Sequence, residues 1–143
     1  MTNRDSGEVA RFLEWDSAFF GKRIARAQRD TLTPDDVEQI NSWAAQNRID
    51  CIYFLATIND DQTIMCAEKD GYHLVDLRVT LAIDLTRYRT TPAQNPSARL
   101  SRESDISDLR KIAGVNHTIS RFFTDRHFDR EKCRQLYEVW IEK

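Results

Sequence analysis

This sequence has few of the residues that mark secreted, membrane-bound or metal-binding proteins. Its three cysteines, Cys51, Cys66 and Cys133, are odd in number and widely spaced, with no Cys-x-x-Cys motif. That pattern favours reduced thiols over a disulfide framework or a zinc site. No apolar run approaches the ~20 residues that span a bilayer, and the polar N-terminus lacks the apolar core of a signal peptide. We therefore predict a cytoplasmic protein with no membrane partner.

The chain also lacks a strong net charge, but the charge is unevenly divided. The formal net charge is −2, although 31% of the residues are charged. Residues 1–85 carry 9 Lys and Arg against 15 Asp and Glu, whereas residues 86–143 carry 12 against 8. One interpretation is that the basic second part attracts a phosphorylated small molecule. The alternative is that its Lys and Arg residues belong to a solvated helix surface of mixed charge. No segment has the basic density of a nucleic-acid interface, so no nucleic-acid partner is predicted.

The hydrophobic pattern of residues 1–85 predicts a small α/β domain, a mixed sheet flanked by helices. The apolar run Cys51–Ala56 predicts an interior strand, and His73–Leu85, which alternates with few faults, predicts a half-buried strand next to it. A helix start at Thr33 and a left-handed cap at Gly71 delimit the two helices. The predicted elements are strand Val9–Trp15, a turn at residues 16–21, strand Arg23–Arg29, helix 34–47, strand 51–56, helix 61–70 and strand 73–85.

Residues 86–99 contain two prolines and no periodicity, which predicts a linker. Beyond it, residues 100–143 predict a strand near 99–102, a helix at 105–116, a loop, and a helix capped by Asp129. The last helix carries a full apolar stripe: Cys133, Leu136, Tyr137, Trp140 and Ile141. Two helices and one strand cannot enclose a core. We expect the stripe to be buried against the first unit's sheet or, as the favoured alternative, in a homodimer through this C-terminal helix.

Two motifs carry a family resemblance. Residues 13–17 (LEWDS) with 19–21 (FFG) form the first, and residues 120–128 (SRFFTDRHF), leading into Leu136-Tyr137 and Trp140-Ile141, form the second. Together they resemble the dTDP-fucosamine (TDP-4-amino-4,6-dideoxygalactose) N-acetyltransferases of the GNAT superfamily over most of the chain. Residues 51–85 are similar to the elements that close a GNAT domain. The resemblance implies a GNAT-like half fold in 1–85, then the first strand and two helices of a GNAT domain in 100–143.

The same resemblance implies that this chain lacks the acetyl-CoA loop and the acid of the family's active site. The family binds acetyl-CoA through a glycine-containing loop that opens a helix, and none of the four glycines here forms such a loop. The family's tyrosine acid has no counterpart either. We therefore expect the chain to stop before the acetyl-CoA segment, with no catalytic, cofactor-binding or metal residue of its own. The expected function is the N-terminal portion of an acetyl-CoA-dependent N-acetyltransferase for a nucleotide-linked amino sugar. The alternative is a non-catalytic binding module.

The resemblance makes Arg121, Phe122 and Phe123 the candidate substrate-binding residues. The Arg121 guanidinium is suited to bind a diphosphate through paired hydrogen bonds. The alternative is that Arg121 is an exposed loop residue that binds no ligand. The two phenylalanines either floor a sugar or base pocket or anchor the loop in the core. His117 and His127 lack a third metal ligand at suitable spacing, which argues against a metal pair. The aromatic residues at 15, 19 and 20 are either a ligand platform or, as we expect, the seal of a small core.

Overall fold

In the computed structural model of this chain, residues 8–86 and 99–142 are described. The predicted linker, residues 86–99, lies outside them except at its two ends. The described residues up to Leu74 form one compact unit, and those from Val75 onward form a second. The described part is mixed α/β. It contains β1 Ala10–Phe12, α1 Glu14–Phe20, β2 Ile24–Ala27, α2 Pro34–Gln46, β3 Cys51–Tyr53, α3 Asp61–Lys69, α4 Ile106–Asn116, α5 Arg121–Thr124 and α6 Arg130–Trp140.

The first unit is built on a small mixed sheet with strand order β1-β2-β3. β1 and β2 pair antiparallel, with Ala10 opposite Ala27, and β2 and β3 pair parallel, with Ile24 opposite Cys51. The parallel pair is connected through α2, as a crossover connection requires. β2 is central, and Ile24, Ala25 and Ala27 are buried because neighbours cover both of its faces. The predicted mixed sheet is thus confirmed, in a three-stranded form.

The sequence predicted both ends of α2. Thr33 caps the helix by accepting a hydrogen bond from the Asp36 N–H, and the Asp36 carboxylate accepts one from the Thr33 N–H in return. This reciprocal box satisfies two backbone donors that a helix start otherwise leaves open. Ile40 of α2 then packs with Ala67 of α3 in the unit's core, which also contains Ala27, Leu32 and the half-buried Val37, Ile52, Phe54 and Tyr72.

The turn predicted at residues 16–21 is wrong, because residues 14–20 form α1. Glu14 and Asp16 place carboxylates in the first helical turn, where the helix dipole favours them. The Ser17 hydroxyl accepts a hydrogen bond from the Ile24 N–H at 2.9 Å and donates to the Ile24 carbonyl at 3.3 Å. These two bonds tie α1 to the start of β2.

The strand predictions for the rest of this region are corrected by the structure. Cys51–Ala56 is not an interior strand: β3 spans three residues at the edge of the described sheet and is only half-buried. His73–Leu85 forms no strand, and its large apolar side chains are exposed except for the half-buried Val75. Alternation provides two faces, but a strand also needs a neighbour to satisfy its N–H and C=O groups. Gly71 does adopt the predicted left-handed conformation, with φ of 84°.

In the second unit the described elements are helices, and the strand predicted at residues 99–102 is wrong. The Arg99 guanidinium instead donates to both carboxylate oxygens of Asp105, at 2.6 and 2.9 Å, and the Arg102 N–H donates to the same group at 2.8 Å. The Arg99 side chain is the main cause that lowers the pKa of Asp105. These bonds stabilise a short 3-10 turn, Glu103–Asp105, that leads into α4.

The apolar stripe of α6 is covered within its own unit. α4 and α5 pack against α6, and Cys133, Leu136 and Tyr137 are buried. A Cβ at Gly114 of α4 would lie 2.7 Å from a carboxylate oxygen of Glu138, so this glycine permits a close helix approach. The central residues of the stripe are therefore buried by helices of their own unit, and they need neither the first unit's sheet nor a second copy of the chain. The homodimer through this helix stays a prediction that rests on Trp140 and Ile141, which are 44% and 37% exposed.

Candidate functional site

The candidate binding loop connects α4 to α6, and hydrogen bonds and packed aromatic rings of the loop hold it in place. Its central turn is α5, in which the Thr124 N–H donates to the Ser120 carbonyl at 2.8 Å. Phe122 is 1% exposed, and its ring meets the Phe128 ring edge-on with the centroids 5.6 Å apart. The Cys133 thiol donates to the Phe122 carbonyl at 3.4 Å. Burial and hydrogen bonding together hold this turn against α6.

Phe122 lies in the core of its unit, which is the placement expected of a residue that anchors the loop. Its ring lies inside the unit, beneath the guanidinium of Arg121, whose carbon is 4.4 Å from the ring centroid. Phe123 is half-buried, and the Arg130 guanidinium lies 5.9 Å from its ring centroid. The three predicted residues are thus adjacent, but they differ in access. Arg121 and Phe123 offer surface to a ligand, and Phe122 supports them.

Basic side chains dominate the edge of this loop. Arg121, Arg126 and Arg130 lie within ten residues of one another in the sequence. The nearby acids have local roles: Asp129 caps α6 by accepting from the Lys132 N–H, and Asp125 accepts from the His127 N–H, both at 2.9 Å. A guanidinium presents paired donors that match the oxygens of a phosphate. The arrangement is therefore suited to an anion whose attached group can lie on an aromatic ring.

The two histidines of the loop have separate neighbours. The His117 ring stacks on the Tyr137 ring with centroids 4.4 Å apart, and its Nδ1 lies 3.1 Å from the Ala113 carbonyl. The His127 Nδ1 lies 2.9 Å from an Asp125 carboxylate oxygen. Among residues 8–86 and 99–142, no group of three or more His, Cys, Asp and Glu side chains is placed to hold a metal ion. His117 thus packs on Tyr137, and His127 pairs with Asp125 at the surface.

The thiols and paired acids that draw attention in the sequence are structural. Cys133 is fully buried, and burial is the main cause that raises the pKa of its thiol, which disfavours the reactive thiolate. Asp36 belongs to the capping box of α2. Its pKa is lowered chiefly by the hydrogen bond from the Thr33 hydroxyl.

A concave surface lies in the first unit, and the sequence did not predict it. An open cleft of about 380 Å³ is lined by Phe12, Ser17, Gly21, Lys22, Arg23 and Asp50, among others. Arg23 stacks on Phe12 at 4.8 Å and donates from Nε to the Asn47 carbonyl at 2.9 Å. The adjacent basic pair Lys22-Arg23 was the only sequence signal. The Arg23 guanidinium is thus held by Phe12 and Asn47 at the edge of this cleft.

The aromatic residues near the N-terminus lie beside that cleft. The Trp15 and Phe19 rings stack with centroids 5.2 Å apart, and Phe19 meets Phe20 edge-on at 5.0 Å. Phe20 is buried, whereas Trp15 is partly exposed. The predicted core seal is therefore formed by Phe20.

Comparison with protein-family models, with curated proteins and with solved structures finds no match to this chain. None of the three described glycines lies between the end of a strand and the start of a helix: Gly21 follows α1, Gly71 follows α3 and Gly114 is inside α4. Within residues 8–86 and 99–142, no helix has the length and apolar character needed to cross a bilayer.

Proposed function

We propose that this chain is part of an acetyl-CoA-dependent N-acetyltransferase for nucleotide-linked amino sugars, and that its role is to bind the acceptor. The observation that carries the proposal is the pair of accessible groups, Arg121 and Phe123, presented by a turn that Phe122 anchors. The basic character of the second part and the motif at residues 120–128 support the same assignment.

The guanidinium of Arg121 would hold the diphosphate of the acceptor. Its position over the Phe122 ring restricts its rotamers before binding, so less side-chain entropy is lost when the phosphate oxygens are bound. Paired, charge-assisted N–H···O bonds give both affinity and a defined orientation. Arg121 would therefore fix the position of the diphosphate relative to the turn.

Phe123 and Arg130 would contact the uncharged part of the acceptor. An aromatic ring with a guanidinium 5.9 Å from its centroid offers an apolar surface beside a positive charge. A base or sugar ring can lie on such a surface while its diphosphate reaches Arg121. The acetyl group would come from acetyl-CoA, and the residues of this chain would serve only to position the acceptor amine.

Calorimetric titration with a thymidine diphosphate amino sugar tests this function. We expect Arg121→Gln to weaken binding by roughly tenfold or more, since a hydrogen bond to a charged group contributes ~1.5–3 kcal/mol. Arg121→Lys keeps the charge without the paired geometry and should bind with intermediate affinity. Arg134→Gln is the matched control, because Arg134 is an exposed arginine of α6 paired with Glu131.

Two further measurements make the result decisive. Thermal melting of each variant separates a lost contact from a lost fold, because Arg121 is half-buried. Binding should also weaken as salt is raised, since the contact is ionic and close to the surface. Equal loss of affinity in the Arg134 and Arg121 variants, or no binding by the wild-type chain, would contradict the proposal.

A further inference from the structure

The segment that follows Gly71 and Tyr72 exposes a regular row of apolar side chains. Its residues 73–84 belong to no helix, strand or turn. From Val75 to Leu85, apolar residues occupy every second position, with polar or small ones between them. The exposed fractions are 66% for Leu77, 77% for Val79, 89% for Leu81, 61% for Ile83 and 73% for Leu85. Such a contiguous row on a water-soluble surface marks an interaction site.

The pattern of the segment also limits what can cover it. Alternation with period two fits a strand with one apolar face, whereas a helical partner surface would need a different spacing. A strand needs a second strand beside it, because its backbone N–H and C=O groups must be paired. The partner must therefore offer both an extended backbone and an apolar face of the same period.

A second copy of the same segment meets both requirements in one register. When two copies run antiparallel with Leu81 opposite Leu81, the large apolar residues of 77–85 face one another: Val79 opposite Ile83 and Leu77 opposite Leu85. On the other face, Arg78 lies opposite Asp84 at two symmetric positions. No like charges face each other across the pair in residues 76–86. Opposite charges and apolar pairs directly across an antiparallel ladder stabilise it.

The neighbouring registers fit less well. With Val79 at the centre, Arg78 faces Thr80 and the charge pairs are lost. With Leu77 at the centre, Arg78 faces Asp76, but continuing the ladder beyond His73 would require Tyr72. Tyr72 is half-buried against the core of the first unit, and its ring meets Phe54 edge-on at 6.1 Å. The register centred on Leu81 extends over eleven positions without using any packed residue.

We infer that residues 76–86 form a self-pairing interaction strand, through which two copies of this chain associate antiparallel with Leu81 at the two-fold axis. The contact is isologous, so it closes as a dimer and does not propagate along the row. It is distinct from the dimer predicted through α6, which would use Trp140 and Ile141. The two surfaces are separable by mutation.

Cysteine cross-linking tests the register directly. In a full-length background with Cys51→Ser, Cys66→Ser and Cys133→Ala, Leu81→Cys should form a covalent dimer under a mild copper oxidant. Residues directly opposite in an antiparallel pair have Cα atoms about 4.5–5.5 Å apart, within disulfide range. Leu77→Cys and Leu85→Cys are matched controls. Each would lie roughly 26 Å from its own copy, eight residues along the ladder, and should not cross-link.

Charge exchange tests the same register in solution. Arg78→Asp or Asp84→Arg alone creates two repulsive pairs and should weaken dimerisation by roughly tenfold or more in sedimentation. The double exchange Arg78→Asp with Asp84→Arg should restore it. A wild-type chain that sediments only as a monomer overturns the inference. So does a dimer that Trp140→Asp with Ile141→Asp dissociates while the single charge variants leave it intact.

Discussion

Thr63 is a polar residue in the core of the first unit, and it is fully buried. Its hydroxyl accepts a hydrogen bond from the Leu32 N–H at 2.8 Å and donates to an Asp60 carboxylate oxygen at 2.7 Å. Thr63 thus connects the loop before α2 to the start of α3. The second bond is also the main cause that lowers the pKa of Asp60. A polar core group of this kind stabilises only while both bonds are present.

Thr63→Val should therefore destabilise the protein despite preserving the shape of the side chain. The substitution leaves the Leu32 N–H buried without its acceptor, which costs ~1–3 kcal/mol. Thr63→Ser retains the hydroxyl and should recover most of that loss apart from one methyl group. Urea denaturation of the three proteins measures the difference. Equal stability of the valine variant and the wild type would show that water reaches the Leu32 N–H.

Asp36 should make the stability of α2 depend on acid pH. Its pKa is lowered in the folded state, chiefly by the Thr33 hydroxyl and also by Arg29, whose Nε lies 3.2 Å from the carboxylate. A lowered folded pKa contributes stability above the unfolded value of about 3.9, and that stability is lost as the pH falls through the folded value. Asp36→Asn should reduce the loss of stability between neutral pH and pH ~3.

Asp35→Asn is the matched control for this pH dependence. Both substitutions remove one carboxylate from the first turn of α2, so they share the effect of the helix dipole. Only Asp36 belongs to the capping box. Thermal melting across the acid range should therefore show a smaller pH dependence in the Asp36 variant alone. Identical profiles for the two variants would contradict the role of the box.

At the scale of elements, the helices were predicted well because their signals are local. Thr33, Asp129 and Gly71 mark helix ends through bonds or backbone angles within a few residues of themselves. The strands were predicted poorly because pairing is decided by residues distant in sequence. β3 is an edge strand since only β2 lies beside it in the described sheet. The α1 helix was missed because the Ser17–Ile24 bonds that hold it cannot be inferred from composition.

The packing of α4 on α6 provides a test at this scale. Leu136 of α6 is fully buried, whereas Ile112 of α4 lies on the exposed side of its helix. Leu136→Ala should destabilise the second unit by about 2–5 kcal/mol, because it leaves a cavity in addition to the lost transfer energy. Ile112→Ala should change stability by no more than ~0.5 kcal/mol. Denaturant titration followed by Trp140 fluorescence reports on this unit when Trp15 and Trp43 are both replaced by Phe. Equal effects would mean that the stripe of α6 is not packed in solution.

At the scale of the whole molecule, the sequence proposed which loop carries the candidate site but not how the side chains of that loop pack. The motif at residues 120–128 identified the loop, and its basic surroundings were visible in the charge count. The sequence left the role of Phe122 open, because its burial depends on Cys133 of the next helix and on Phe128 across the loop. The Arg23 cleft was not predicted because the residues lining it come from several separate elements.

The most direct test of acceptor binding is a titration of the isotopically labelled chain with the thymidine diphosphate amino sugar, followed by amide NMR signals. We expect saturable shifts of the amide signals confined to residues 120–130, with Arg121 and Phe123 the most affected. All of these signals should give the same dissociation constant. The same titration of Arg121→Gln should give weak, non-saturating shifts. Shifts centred on Arg23 and its cleft, or the absence of any saturable shift in the folded wild-type chain, would contradict the assignment of acceptor binding to the Arg121 loop.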